Sequence, residues 1–325
     1  MRRHCFLAIA ATFLLAGASF VPAMADEPYP SRSIQMVVPY APGGALDTLA
    51  RLVSKGLSQT LGQAVVVENK PGAANIIGNA FVAHAAPDGY TLLFAGAPLA
   101  LNQALGMKQP YDALKDFAPI SLVATTPMLV AVSPSSNYHS LADILAAAKA
   151  NPAGIAYATA GVGSMPHLLG ESLRMESGAR LTHVGYRGSA PALTDAMGGS
   201  VPVIIDAYTP TGTAVAEGKM RGIAVASKHR SPTLPDVPTT AEAGFPDVTG
   251  EGFYGLLAPA KTPEPIVQKL HDAIVKVTDD PALRDRLLHL GYEVTATTPE
   301  AYATYLRDEV QRWTPVVKAA GIQPQ

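Results

Sequence analysis

Short apolar runs alternate with amphipathic segments along nearly the whole chain, and turns rich in glycine and proline separate them. Ile34–Val38 reads as a buried strand and Pro39–Gly44 as a turn. Leu46, Leu49, Ala50, Val53 and Leu57 then fall on one helical face. The unit repeats with a strand over Ala64–Glu68, a turn at Asn69–Gly72, a helix over Ile76–Ala86 and a strand over Tyr90–Ala95. Further strands are predicted over Met128–Ser133, Ile155–Thr159, Leu181–Tyr186, Val201–Asp206, Gly222–Ala226 and Phe253–Leu257. Helices are predicted over Leu141–Ala150 and from Ser164, Ser189, Pro210, Pro263, Pro281 and Pro299. Such alternation predicts an α/β fold with mostly parallel sheets.

Residues 1–25 are expected to lie outside that fold. Arg2 and Arg3 precede a mostly apolar run from Phe6 to Val21, and Ala23-Met24-Ala25 offers a small-x-small cleavage site. The run is short for a membrane span and no basic stop-transfer cluster follows it. The lone cysteine, Cys5, sits before the run and not at the cleavage site, so the mature chain is expected to lack disulfide, thiol chemistry and lipid anchor. Export to the periplasm as a soluble protein is the expectation. The remaining length suffices for two domains of ordinary size.

The formal net charge is −2, and removal of Arg2 and Arg3 with no acid takes it to −4. Lysines and arginines are scattered singly, without a basic stripe, which argues against nucleic acid as a partner. No metal-ligand spacing, Walker A loop or dinucleotide fingerprint is present, so neither metal nor cofactor is expected.

Three glycine-containing turns lead from strand to helix: Pro42-Gly43-Gly44-Ala45-Leu46-Asp47, Gly161-Val162-Gly163-Ser164-Met165-Pro166 and Tyr186-Arg187-Gly188-Ser189-Ala190-Pro191. Ligands of open α/β sheets bind beyond strand C-termini, where such turns lie. Unpaired N–H groups at a helix start hold anions without a cationic side chain. Each turn also has a plainer reading: Ser164 and Ser189 as helix N-caps, and Asp47 as a helix-start acid. Asp206 ends a buried strand, where it either meets a ligand or satisfies donors of a neighbouring loop.

Catalysis fares worse. The serine of Gly161-Val162-Gly163-Ser164 is out of frame for a nucleophile elbow. His167 shares a helix start with Ser164 and reads as a supporting or capping histidine, not a base.

At these turns the sequence resembles the tripartite tricarboxylate transporter substrate-binding proteins, the Bug receptors. The resemblance rests on Val38-Pro39-Tyr40-Ala41-Pro42-Gly43-Gly44 with Asp47, Glu68-Asn69-Lys70-Pro71-Gly72-Ala73 and Ala86-Pro87-Asp88-Gly89-Tyr90-Thr91-Leu92. It continues through Asp116-Phe117-Ala118-Pro119, Gly163-Ser164 with His167, Tyr186-Arg187-Gly188, Leu234-Pro235-Asp236-Val237-Pro238-Thr239 and Trp313–Ile322. It implies a type II periplasmic-binding-protein fold, with two lobes around a ligand cleft. Lobe 1 would be residues 26–126 plus 248–325, and lobe 2 residues 127–247. It also implies a monomeric, non-enzymatic receptor that passes an organic carboxylate to membrane transporter subunits. The implied ligand contacts are Tyr40, Pro42, Gly43, Gly44, Asp47, Ala97, Thr159, Gly161, Gly163, Ser164, His167 and Asp206. The charge is expected to fall on the N–H groups of Gly43, Gly44, Gly163 and Ser164. A sensor feeding a two-component system is an alternative of the same fold, and an exported hydrolase is the enzymatic one.

Two departures from the family pattern stand out. Ala97-Pro98-Leu99-Ala100 replaces residues that often carry hydroxyls, and Ala45-Leu46 stands where a small polar residue is common. Both make the expected pocket less polar, which suits a carboxylate with an apolar or aromatic portion.

Overall fold

The computed structural model describes residues 28–323. The leader expected over residues 1–25 lies outside them. The first unit is β1 (Ile34–Val38), α1 (Ala45–Leu61), β2 (Val65–Asn69), α2 (Ile76–Ala83), β3 (Thr91–Gly96) and α3 (Pro98–Ala104). The long strand β4 (Phe117–Val132) follows. A second series holds α4 (Leu141–Ala150), β5 (Ile155–Thr159), α5 (Met165–Ser177), β6 (Leu181–Gly185), α6 (Ser189–Met197), β7 (Val203–Ala207), α7 (Tyr208–Ala216) and β8 (Arg221–Val225). The chain returns through β9 (Glu251–Pro259) and ends with α8 (Glu264–Thr278), α9 (Pro281–His289), β10 (Glu293–Val294) and α10 (Pro299–Ala320).

The alternation of strand and helix is as expected, but the sheet is not mostly parallel. Its order is β2-β1-β3-β9-β4-β7-β5-β6, with β8 and β10 also on β4. The βαβ units at either end are parallel. Every pairing made by β4 or β9 is antiparallel. These two strands carry the chain from one half of the sheet to the other and back, so they run against the units that flank them. β4 spans both halves, pairing β9 along Phe117–Pro127 and β7 along Met128–Ala131.

β1 is nearly continuous in apolar residues because helices cover both of its faces. Ile34, Met36 and Val38 pack with Leu49 and Val53 of α1 and with Leu270 and Ile274 of α8. Helix α10 packs on both α3 and α5, one from each half of the sheet. Its Trp313 is fully buried, and the indole N–H donates to Glu309. No helix among the described residues is long and apolar enough to cross a membrane.

Candidate functional site

A cavity of about 510 Å³ opens between the β3–α3 corner and the β5–α5 turn. That is ordinary for a small-molecule site. Ala97, Pro98, Leu101 and Leu105 form one wall, and Ala160–Met165 the other. No charged side chain lines it. Of the residues expected at a ligand, Ala97, Gly161, Gly163 and Ser164 are in this lining; Tyr40, Pro42, Gly43, Gly44, Asp47, Thr159, His167 and Asp206 are not.

The β1–α1 turn stands next to the cavity and is braced from beneath. Asp47 is almost fully buried, and its carboxylate accepts from the Gly43 N–H at 2.9 Å, Arg51 Nε at 2.9 Å and Asn69 Nδ2 at 2.8 Å. Burial opposes ionisation of Asp47, yet the hydrogen bonds from Arg51, Gly43 and Asn69 prevail and hold its carboxyl below the usual range. Pro42, Gly43 and Gly44 are exposed. Tyr40 turns inward: its hydroxyl lies close to Gly96 and near the Asn75 side chain, which itself lines the cavity.

The β5–α5 turn is more tightly self-bonded. Gly163 N–H donates to His167 Nδ1 at 3.0 Å, and the Ser164 hydroxyl to the Gly161 carbonyl at 2.7 Å. Thr159 Oγ1 accepts from the Gly161 N–H at 3.2 Å and meets His183 Nε2 at 2.6 Å. Gly43 and Gly163 take φ of +87° and +75°, which an L side chain would strain.

Several expectations are thereby corrected. Ser164 occupies the N-cap position of α5, but its hydroxyl does not cap the helix, because it is turned to the Gly161 carbonyl. Gly188, not Ser189, is the N-cap of α6, and the Ser189 hydroxyl donates to Asp206 Oδ1 at 2.9 Å. The N–H groups of Gly43, Gly163 and Ser164 are already engaged within their own turns. Among the described residues no protein acceptor meets the Gly44 N–H, so the free donors of the first turn begin at the helix start.

Asp206 is buried at the end of β7, with Ser189 at 2.9 Å and Thr211 at a long 3.5 Å. Burial pushes its carboxyl up to about 6 against the hydrogen bonds from Ser189, Ala207 and Thr211. Tyr254 on β9 lies in its electrostatic reach, together with Tyr292 and Tyr40. Burial, then those neighbours, raise the Tyr254 hydroxyl well above its ordinary value.

Sequence reasoning missed Asn75, Leu101, Asn102 and Gln323 in the lining, and His183 behind it. The periodicity of the 97–105 stretch was the one signal available for Leu101. Nothing local marks the other four. A second missed feature is the turn before α2, where Ala73, Ala74 and Asn75 take φ of +47°, +50° and +75° in succession. Asn102 Nδ2 holds it through the Ala74 carbonyl at 2.8 Å. Among the described residues no cluster of side chains suits a metal ion.

Residues 49–322 match the family model described as the tripartite tricarboxylate transporter family receptor. BugT of Bordetella pertussis is 35% identical over 317 residues, covering 97% of each chain. Among solved structures, MatC from Rhodopseudomonas palustris with bound malate is 34% identical, with a TM-score of 0.75, covering 89% of this chain and 100% of that one. An R. palustris protein with adipate is 32% identical, with a TM-score of 0.80, covering 91% and 100%. The fold is therefore that of the type II periplasmic-binding proteins, whose relatives here are solute receptors. By sequence and by fold alike, the chain belongs to the receptor family of the tripartite tricarboxylate transporters.

Proposed function

We propose that this protein is an exported, non-enzymatic receptor that captures an organic carboxylate with an apolar or aromatic portion and delivers it to a tripartite tricarboxylate-type transporter. The observation that carries this reading is the cavity between the β3–α3 corner and the β5–α5 turn, uncharged and walled largely by Ala97, Pro98, Leu101, Leu105, Val162 and Met165. The proteins solved with malate and adipate support the carboxylate. Free first-turn N–H groups of α1 and α5 supply positive potential without a cation. A second carboxylate at the apolar end would be desolvated without a charged partner, which disfavours small di- and tricarboxylates.

Two lobes, residues 26–126 with 248–325 and residues 127–247, would close over the ligand. The crossing supports this division: Met128 N–H donates to Gly250 O, Gly250 N–H to Ala226 O and Ala226 N–H to Met128 O. Closure requires the ligand to bind the closed form better than the open one. Asp206 and Tyr40 would face the ligand from opposite lobes. Thr159 and His167, bonded into the β5–α5 turn, would shape it.

Calorimetric titration with citrate, malate, adipate, hexanoate and benzoate tests the reading. Hexanoate or benzoate is expected to bind more tightly than malate or citrate. A preference for citrate or malate would remove the apolar portion from the proposal, and no binding by any of the five would remove the site.

A further inference from the structure

The turn that follows α10 is a built feature. Gly321 takes φ +66°, its N–H donates to Lys318 O at 3.3 Å, and the Ile322 N–H donates to Val317 O at 3.1 Å. This pair of bonds is a Schellman cap, which reverses the chain at a helix end. Ile322 is buried in the same core as Trp313, Val317 and Leu101. The cap thus anchors the chain, and the next residue, Gln323, stands in the cavity wall. Because α10 packs on both α3 and α5, the turn is tied to the helices that start both walls.

Two of the other polar side chains of the lining are committed elsewhere. Asn102 Nδ2 donates to the Ala74 carbonyl at 2.8 Å, and the Ser164 hydroxyl donates to the Gly161 carbonyl at 2.7 Å. Gln323 is exposed, and its carboxamide meets no protein partner among the described residues. It offers two donors and an acceptor at the edge of an otherwise apolar chamber. An exposed glutamine on a frayed end would contact only water; this one is delivered to the cavity by a capped and buried turn.

We propose that Gln323 is a specificity-determining residue, whose carboxamide hydrogen-bonds a second oxygen-bearing group on the ligand, beyond the carboxylate. The inference rests on the reading of this cavity as the carboxylate site. The ligand class it names is an acid with an apolar body and a remote hydroxyl or carbonyl oxygen.

The test is calorimetric titration of the full chain with two matched pairs, benzoate against 4-hydroxybenzoate and hexanoate against 6-hydroxyhexanoate. One neutral hydrogen bond should favour the hydroxylated member of at least one pair by about 3- to 10-fold. Gln323→Ala should abolish that preference while leaving the plain acid within about twofold. Gln323→Ala with its preference intact, an equal loss for both members, or no preference in the wild type would overturn the proposal and leave the carboxylate site standing. Failure of the wild type to bind any of the four acids would overturn both.

Discussion

The imidazole rings of His167 and His183 stack 3.7 Å apart and nearly parallel, at 15°. One accepts from the Gly163 N–H and the other meets Thr159 Oγ1, so the pair supports the whole β5–α5 turn from behind. Burial lowers the affinity of both rings for protons. For His183 the neighbouring His167 adds to this, and its value falls to about 4, whereas Glu171 partly offsets the effect on His167.

A pH dependence follows. An unfolded histidine titrates near 6.5, so between about pH 6.5 and 4 the unfolded chain binds more protons than the folded one. The contribution of the neutral pair is full above about pH 6.5 and is lost as pH falls towards 4. For the partly exposed His183 it is about 1–2 kcal/mol. Because Asp206 acts in the opposite sense over the same range, the loss is read as a difference: from pH 7.5 to 4.5 the urea-unfolding free energy of the wild type should fall relative to that of His183→Gln by about 1–2 kcal/mol. Equal slopes would contradict the assignment.

Asp206 should act with the opposite sign. Its folded value of about 6 lies above the unfolded 3.8. The folded state therefore holds the extra proton, and stability falls as pH rises between those values. Asp206→Asn removes the buried charge and can still accept from Ser189. Its gain over wild type should grow from near zero below pH 4 to about 2–3 kcal/mol above pH 6.5, read from denaturation midpoints. A gain independent of pH would refute the buried charge as its cause.

The left-handed run at Ala73–Asn75 stores strain. A non-glycine residue there costs roughly 1–2 kcal/mol, and glycine gives back about 0.4–1 kcal/mol through its freer unfolded chain. Ala73 is exposed and makes no cavity contact. Ala73→Gly should therefore stabilise the protein by about 0.5–1 kcal/mol in chemical denaturation, and a destabilised variant would show the turn to be relaxed.

Gly291 and Tyr208 meet across the two halves of the sheet. A Cβ at Gly291 would lie 2.1 Å from Tyr208 Cδ1 and at φ +80°, and the adjoining Thr209 hydroxyl donates to Leu290 O at 2.6 Å. Gly291→Ala should force this contact apart and, on the proposed closure of the two lobes over ligand, disfavour the closed form. Affinity for whichever acid the wild type binds should fall about tenfold or more, equivalent to about 1.4 kcal/mol, with the radius of gyration from small-angle scattering enlarged. Unchanged affinity would mean that this contact does not limit closure.

Much of the architecture was legible in the residues themselves. Helical and strand periodicities are local, so Ile34–Val38, the face of α1 and the proline-started helices near 263, 281 and 299 could be read directly. Strand β4 could not be read in full. Its half over Phe117–Pro127 carries Pro119, Ser121, Thr125, Thr126 and Pro127 among its apolar residues, so it shows neither an alternating nor a continuous apolar pattern. The serines at 164 and 189 have the right composition for caps, but the Ser164 hydroxyl is claimed by the Gly161 carbonyl of its own turn and the Ser189 hydroxyl by Asp206, which only the tertiary structure brings near.

The sequence by itself determined the strand–turn–helix units, the family and the places where helix starts gather, because each depends on residues close together in the chain. Only the tertiary structure decided which of those N–H groups remain free and which side chains wall the cavity. Ala97, Ser164 and Gln323 become neighbours solely through the crossing of β4 and β9 and the span of α10. Contacts between such distant positions leave no periodic trace, so their chemistry appears only once the chain has folded.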